Sequence, residues 1–155
     1  MLVRTDGMQI RKYFFDRFGV PQDVFNGYTF FESSRSVWFC SATFNPTLLE
    51  MKKIEYPGIR LLRKINQYTY KPTTYALQLI GQRATKNIIR LKREQVMELL
   101  RRGELQVSTG TLQDGYVIVA YREDIIGCAL YRQGLLKAQL PRGRAEAMAL
   151  SGLIG

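Results

Sequence analysis

The segment 114–144, DGYVIVAYREDIIGCALYRQGLLKAQLPRGR, constrains the fold more than any other part of the chain. Residues 115–121 (GYVIVAY) are a β-branched and aromatic run with the composition of a buried strand. Arg122, Glu123 and Asp124 form a short polar turn, and residues 125–132 (IIGCALYR) read as the returning strand. Gly127 lies inside that strand, which predicts a bulge or the close approach of another backbone. Gln133-Gly134 is a second tight turn, and residues 135–140 are a third strand. Lys137 and Gln139 alternate there with Leu136, Ala138 and Leu140, so one face is polar and the other apolar. Three short strands on two tight turns make a meander of the kind found in small sheets and barrels. The chain then leaves through the cationic sequence Pro141-Arg142-Gly143-Arg144.

Charge is distributed unevenly around this segment. The net charge is +10, yet residues 1–55 carry seven basic and six acidic side chains. Residues 56–144 carry sixteen basic and six acidic ones, so the excess lies wholly there. A field of that sign favours polyanions. No long basic amphipathic stretch with a bulky apolar face is present, which turns the expectation from membranes to nucleic acid. No apolar run approaches the roughly 20 residues that span a bilayer, and the start has no secretory-leader pattern.

The residue types exclude much chemistry. There is no histidine, which removes Ser-His and Cys-His pairs and every histidine metal site. The two cysteines, Cys40 and Cys128, sit in strand-like runs and read as buried thiols of a reducing cytoplasm. No metal and no cofactor is expected, since no phosphate-binding glycine loop occurs. The acidic residues are scattered among basic ones, so the chain reads as non-catalytic.

Upstream, residues 9–18 (QIRKYFFDRF) place Ile10, Tyr13, Phe14 and Phe18 at helical spacing, with Gly19 and Pro21 as stop signals. Residues 27–32 and 36–42 read as a hairpin closed by 33–35. A turn or short helix at 47–51, started by Asn45-Pro46, and a linker at 52–57 follow. Trp38, Phe39 and Phe44 read as core, and the hairpin is expected to share a core with the helix at 9–18. Residues 58–66 suit a strand or a short helix, and the following 67–71 (QYTYK) with Pro72 favour the strand; 73–82 reads as a helix with Tyr75, Ala76, Leu79 and Ile80 as its apolar stripe. A cationic loop at 83–87 leads to a strand at 87–91. A helix at 92–105 then buries Val96, Leu99 and Leu100, and a strand at 106–109 ends at Gly110. The tail 145–155 is small and apolar.

From residue 58 the order is strand, helix, cationic loop, short strand, amphipathic helix and meander. That order, with GIRLLRK at 58–64, TTYALQL at 73–79, ELLRRGEL at 98–105 and the meander itself, resembles the PUA domain. Within that class it is similar to the PUA-like module of ribosomal-RNA cytosine-5 methyltransferases. In domain order it resembles the Nip7 type of ribosome-biogenesis protein. The catalytic cysteine motifs of the methyltransferases are missing from this sequence.

The resemblance implies an α+β chain: an N-terminal α/β unit at 1–55 packed on a PUA-like mixed pseudo-barrel with two helices at 56–144, then a tail at 145–155. It implies structured RNA, ribosomal or transfer, as the partner. A cytoplasmic role in RNA processing, modification or ribosome biogenesis follows, beside an RNA-modifying enzyme or a pre-ribosomal particle. The implied RNA surface is Lys71, the exposed side of 73–82, Arg83, Lys86, Asn87, Arg132, Lys137, Gln139, Arg142 and Arg144. Arginine and lysine neutralise phosphates, while Asn87 and Gln139 have the groups to read bases or 2′-hydroxyls. Tyr70 and Tyr75 are the candidate stacking rings, with barrel core as the alternative for either and the preferred one for Tyr75, which lies on the apolar stripe. An alternative reading is an adaptor that docks a protein through the aromatic N-terminal unit.

Overall fold

The computed structural model describes residues 2–41 and 58–140. Phe44, the turn or short helix expected at 47–51, the linker at 52–57, Arg142, Arg144 and the tail lie outside the described residues. Among the described residues the chain forms β1 (Val3–Thr5), α1 (Met8–Phe18), β2 (Tyr28–Glu32), β3 (Ser36–Ser41), β4 (Ile59–Lys64) and β5 (Tyr70–Pro72). It continues through α2 (Thr74–Ile80), β6 (Ile88–Arg90), α3 (Arg93–Arg102) and β7 (Glu104–Gln106). The meander β8 (Gly115–Tyr121), β9 (Asp124–Arg132) and β10 (Leu135–Ala138) completes it.

Local sequence explains most of these bounds. Ile10, Phe14 and Phe18 recur four residues apart and form the buried edge of α1. Gly19 ends the helix at φ 68, and its amide donates to Phe15 O at 2.9 Å. A side chain at Gly19 would meet Thr85 Oγ1 at 2.0 Å, so the loop 83–87 seats directly on this helix end. Thr85 and Lys86 both donate their amides to Phe18 O there. Gly103 closes α3 in the same left-handed way. β1 has no counterpart in the sequence reading, because three residues are too few to display a period.

Two open five-stranded sheets result, so the α+β class expected from the sequence stands, without a closed barrel among the described residues. The first has the order β1-β2-β3-β4-β5 and the second β6-β8-β9-β10-β7. Every pair is antiparallel except β6–β8. The strand at 59–64, read as the first strand of the PUA-like module, hydrogen-bonds instead to β3, with Val37 opposite Leu62. β5 then pairs with β4, so both strands extend the N-terminal sheet. Periodicity assigns a residue to a strand but not to a neighbour, which is why this pairing is not legible in the sequence.

One apolar core joins the two sheets. It takes Phe30, Val37, Phe39, Leu61 and Leu62 from the first sheet, and Ile118, Ala120, Ile125 and Cys128 from the second. Ile10, Phe14 and Phe18 of α1 and Ala76, Leu77 and Ile80 of α2 fill the space between. The hairpin and α1 therefore share a core as expected. Trp38, one position from both Val37 and Phe39, faces the other side of the sheet, where Arg60 lies 5.3 Å from its ring centroid. The opposite face of the second sheet packs Val117, Val119, Tyr121, Ala129 and Leu136 against Val96 and Leu99 of α3. β8 is thus covered on both faces, which is why its sequence is apolar without alternation.

The apolar stripe of α2 is rotated from its expected position. Thr74, Ala76, Leu77 and Ile80 are buried, whereas Tyr75 and Leu79 are 60% and 50% exposed. A seven-residue helix carries too few turns for spacing alone to choose between adjacent faces.

Candidate nucleic-acid interface

A cleft of 590 Å³ opens where β4, β5 and the start of α2 meet the end of β10. Arg60, Arg63 and Lys71 supply its charge, Tyr75 its exposed ring, and Ala138, Gln139 and Leu140 its far wall. Thr73 holds the near wall. Its hydroxyl donates to Arg60 O at 2.6 Å and accepts from Ala76 N at 3.2 Å, so one side chain caps α2 and ties it to β4. The far wall is fixed by Gln139 N, which donates to Cys128 O at 3.0 Å.

Gly127 sets the distance between the walls. A Cβ there would stand 2.8 Å from Thr74 Oγ1 and 2.9 Å from Leu140 Cδ2. The register of β8 with β9 also shifts at Val119/Ala120, beside the Gly127–Val119 pair. Of the two alternatives expected of this glycine, the register shift fits the bulge; what approaches closely is not another backbone but the side chains of Thr74 and Leu140.

The electrostatics are one-sided. Among the described residues no carboxylate lines this cleft, and Arg60, Arg63 and Lys71 are in no ion pair. Among the described residues, Arg60 Nε is buried without a hydrogen-bond partner. Cations held this way beside an exposed ring suit a phosphate backbone and its bases. Among the described residues, no paired nucleophile and base, or paired carboxylates, converge on the cleft.

The structure separates the sequence candidates. Lys71 and Gln139 line the cleft together. Lys71 Nζ also lies 6.0 Å from the ring centroid of Tyr116 on β8. Tyr116 pairs with Leu130, Leu130 with Lys137, and Arg132 with Leu135, so Tyr116, Lys137 and Arg132 share one sheet face. Lys137 and Arg132 are exposed on it. Arg83 and Lys86 are exposed on the loop at the end of α1, and Arg83 approaches Asp23 at 4.0 Å.

Asn87 corrects the sequence reading. It is 3% exposed at φ 54, and its amide donates to Arg17 O at 2.7 Å and to Gln113 Oε1 at 3.0 Å. Its Oδ1 accepts from Gln113 N at 2.9 Å. Asn87 is a structural clasp and has no free edge for a base. Of the two candidate stacking rings, Tyr75 is the more exposed. Tyr70 packs edge-on against Tyr13 at 5.2 Å, while Tyr75, expected in the core, is exposed at the cleft. Sequence reasoning misses Arg60 and Arg63. They are two charges within GIRLLRK, and nothing in that stretch signals that β4 borders the exit of β10.

Residues 86–145 match the family model described as the methyltransferase RsmF PUA domain. The resemblance to the PUA-like module of these methyltransferases is thereby borne out for that segment. A search of curated proteins found no match. The matched PUA segment contains Lys86, Asn87, Arg132, Lys137, Gln139, Arg142 and Arg144. Arg60, Arg63, Lys71 and Tyr75 lie before it. The cleft is therefore built from two sources: its far wall from the PUA segment, its charge from strands of the N-terminal sheet.

Proposed function

We propose that this protein binds structured RNA, ribosomal or transfer, as a non-catalytic recognition module in RNA processing, modification or ribosome biogenesis. In this reading it presents its RNA to a separate modifying enzyme, such as an RNA methyltransferase, or to a maturing ribosomal particle in the cytoplasm. The observation that carries the reading is the cleft in which Arg60, Arg63 and Lys71, unpaired by any carboxylate among the described residues, face the exit strand of the PUA segment. Lys71 and the arginines take the backbone, Tyr75 offers a stacking face, and Gln139 reads a base edge or a 2′-hydroxyl. Arg132 and Lys137 extend the path, with Arg83 and Lys86 as outlying phosphate contacts and Arg142 and Arg144 as further candidates from the sequence.

The adaptor alternative draws less support. The aromatic side chains of the N-terminal unit that suggested it, Phe14, Phe18, Phe25, Phe30 and Phe39 among them, are buried in the shared core. Crosslinking in cells, followed by sequencing of the bound RNA, tests the proposal. Enrichment of discrete sites in ribosomal or transfer RNA is expected. Recovery of no RNA, together with partners that survive ribonuclease, would overturn it in favour of the adaptor.

A further inference from the structure

A second cleft, of 460 Å³, lies on the other side of Lys71, between the turn joining β4 to β5 and the start of the meander. It lies outside the RNA path argued above except at Arg132. Its outer wall is Tyr68, which is 85% exposed. Asn66 Oδ1 accepts from Tyr68 N at 2.8 Å, and Ile65 N donates to Thr69 O at 2.9 Å, so the ring stands on a closed turn. Opposite stand Tyr116, Leu130 and Arg132.

Arg17 forms the back of this cleft. Its Nε donates to Tyr116 O and its Nη2 to Gln113 O, both at 2.9 Å. Its charge is therefore held by carbonyls and is half-buried without an ion pair among the described residues. Burial pushes its pKa down from the usual guanidinium value, against the smaller opposing influence of its neighbours. Arg132 on the rim is likewise in no ion pair among the described residues. The one acid lining the cleft among them, Asp114, is engaged, with Oδ1 accepting from Gln133 N at 3.1 Å.

We propose that this cleft takes one unpaired nucleotide of single-stranded RNA, its base stacked on Tyr68 and its phosphate on Arg132, with Arg17 supplying a fixed positive field behind it. The inference rests on the RNA-binding reading and adds to it a site built jointly by α1, the turn between β4 and β5, and the meander. A volume of this size accommodates a nucleotide. An exposed ring on a closed turn, beside two cations that outnumber the one acid in the lining, is the combination that single-stranded nucleic acid selects, because every base has a stacking face. A duplex cannot use it, since its bases are already stacked on one another.

The test is fluorescence anisotropy with the full chain and two labelled probes, hexauridylate and a twelve-base-pair RNA duplex. Tyr68→Ala is expected to weaken hexauridylate binding roughly tenfold or more. Its salt dependence and its duplex affinity should not change. Tyr68→Phe should bind as wild type, and Arg132→Ala should reduce the hexauridylate salt slope by about 0.7. If Tyr68→Ala binds hexauridylate as tightly as wild type, or weakens both probes equally, the proposal is overturned. Wild-type binding of the duplex but not of hexauridylate also overturns it, while leaving the RNA-binding reading intact. Binding of neither probe overturns both.

Discussion

Lys71 Nζ lies 6.0 Å from the centroid of the Tyr116 ring, and this contact joins the last strand of the first sheet to the meander of the second. It sets a cation of the first cleft against a ring that lines the second. Lys71→Met keeps the stem and removes the charge. Unfolding free energy is expected to fall by about 1 kcal/mol or less, the worth of an exposed cation–π contact. RNA affinity should fall several-fold with a shallower salt slope. Matched denaturant and RNA titrations of this variant check both.

Asn87→Ala separates structure from recognition. Three hydrogen bonds fasten this side chain to Arg17 and Gln113, and the left-handed backbone at this position suits asparagine better than alanine. A loss of about 2 to 4 kcal/mol is expected in urea unfolding. Discrimination among RNAs should be unchanged. A variant of native stability with altered discrimination would return Asn87 to the binding face.

The two thiols should behave differently. Burial pushes the Cys128 thiol up to about 12, against the pull of Lys71 and Arg17. Burial also raises Cys40, which is only half-buried. Under native conditions at neutral pH a thiol reagent should label Cys40 and spare Cys128; in denaturant it should label both. The same shift sets a pH dependence. Cys128 stays neutral in the folded state and ionises near pH 8.5 to 9 when unfolded. Its contribution to stability is complete below that range and is lost as pH rises toward about 12. Tyr13, raised by burial, adds the same sign of effect above its ordinary value near 10. Denaturant midpoints should therefore decline steadily on the alkaline side, beginning at about pH 9.

Gly127→Ala probes the seam of the first cleft. The added methyl would meet Thr74 Oγ1 at 2.8 Å and Leu140 Cδ2 at 2.9 Å, so the helix start and the exit strand must part. A destabilisation of about 1 to 3 kcal/mol is expected. RNA binding should weaken beyond what the fall in stability explains, since Tyr75 and Gln139 ride on the displaced segments. Binding equal to wild type in the folded fraction would show that the wall spacing is not critical.

The legibility of these features follows the range of the interactions that make them. α1 is readable because Ile10, Phe14 and Phe18 repeat a helical period and Gly19 stops it. The meander is readable because Gln133-Gly134 and the polar turn at 122–124 mark its corners, and Gly127 is readable as a place of close approach. Lys71, Arg132, Lys137 and Gln139 emerge from charge, alternation and family resemblance. What stays hidden depends on tertiary partners. The pairing of β4 with β3 brings Arg60 and Arg63 to the cleft, and no local pattern encodes it. Asn87 reads like any loop asparagine until Gln113, 26 residues away, closes on it.

The central claim is that the cleft and its adjoining sheet face hold an RNA backbone. The most direct measurement is the salt dependence of binding to a structured RNA for wild type and for Arg63→Ala/Lys71→Ala/Lys137→Ala, each folded by circular dichroism. For every phosphate the variant no longer neutralises, the slope of log affinity against log salt should flatten by about 0.7 to 0.9. Removal of all three charges should weaken binding by orders of magnitude at moderate salt. A folded triple variant with the affinity and salt slope of wild type would contradict the account.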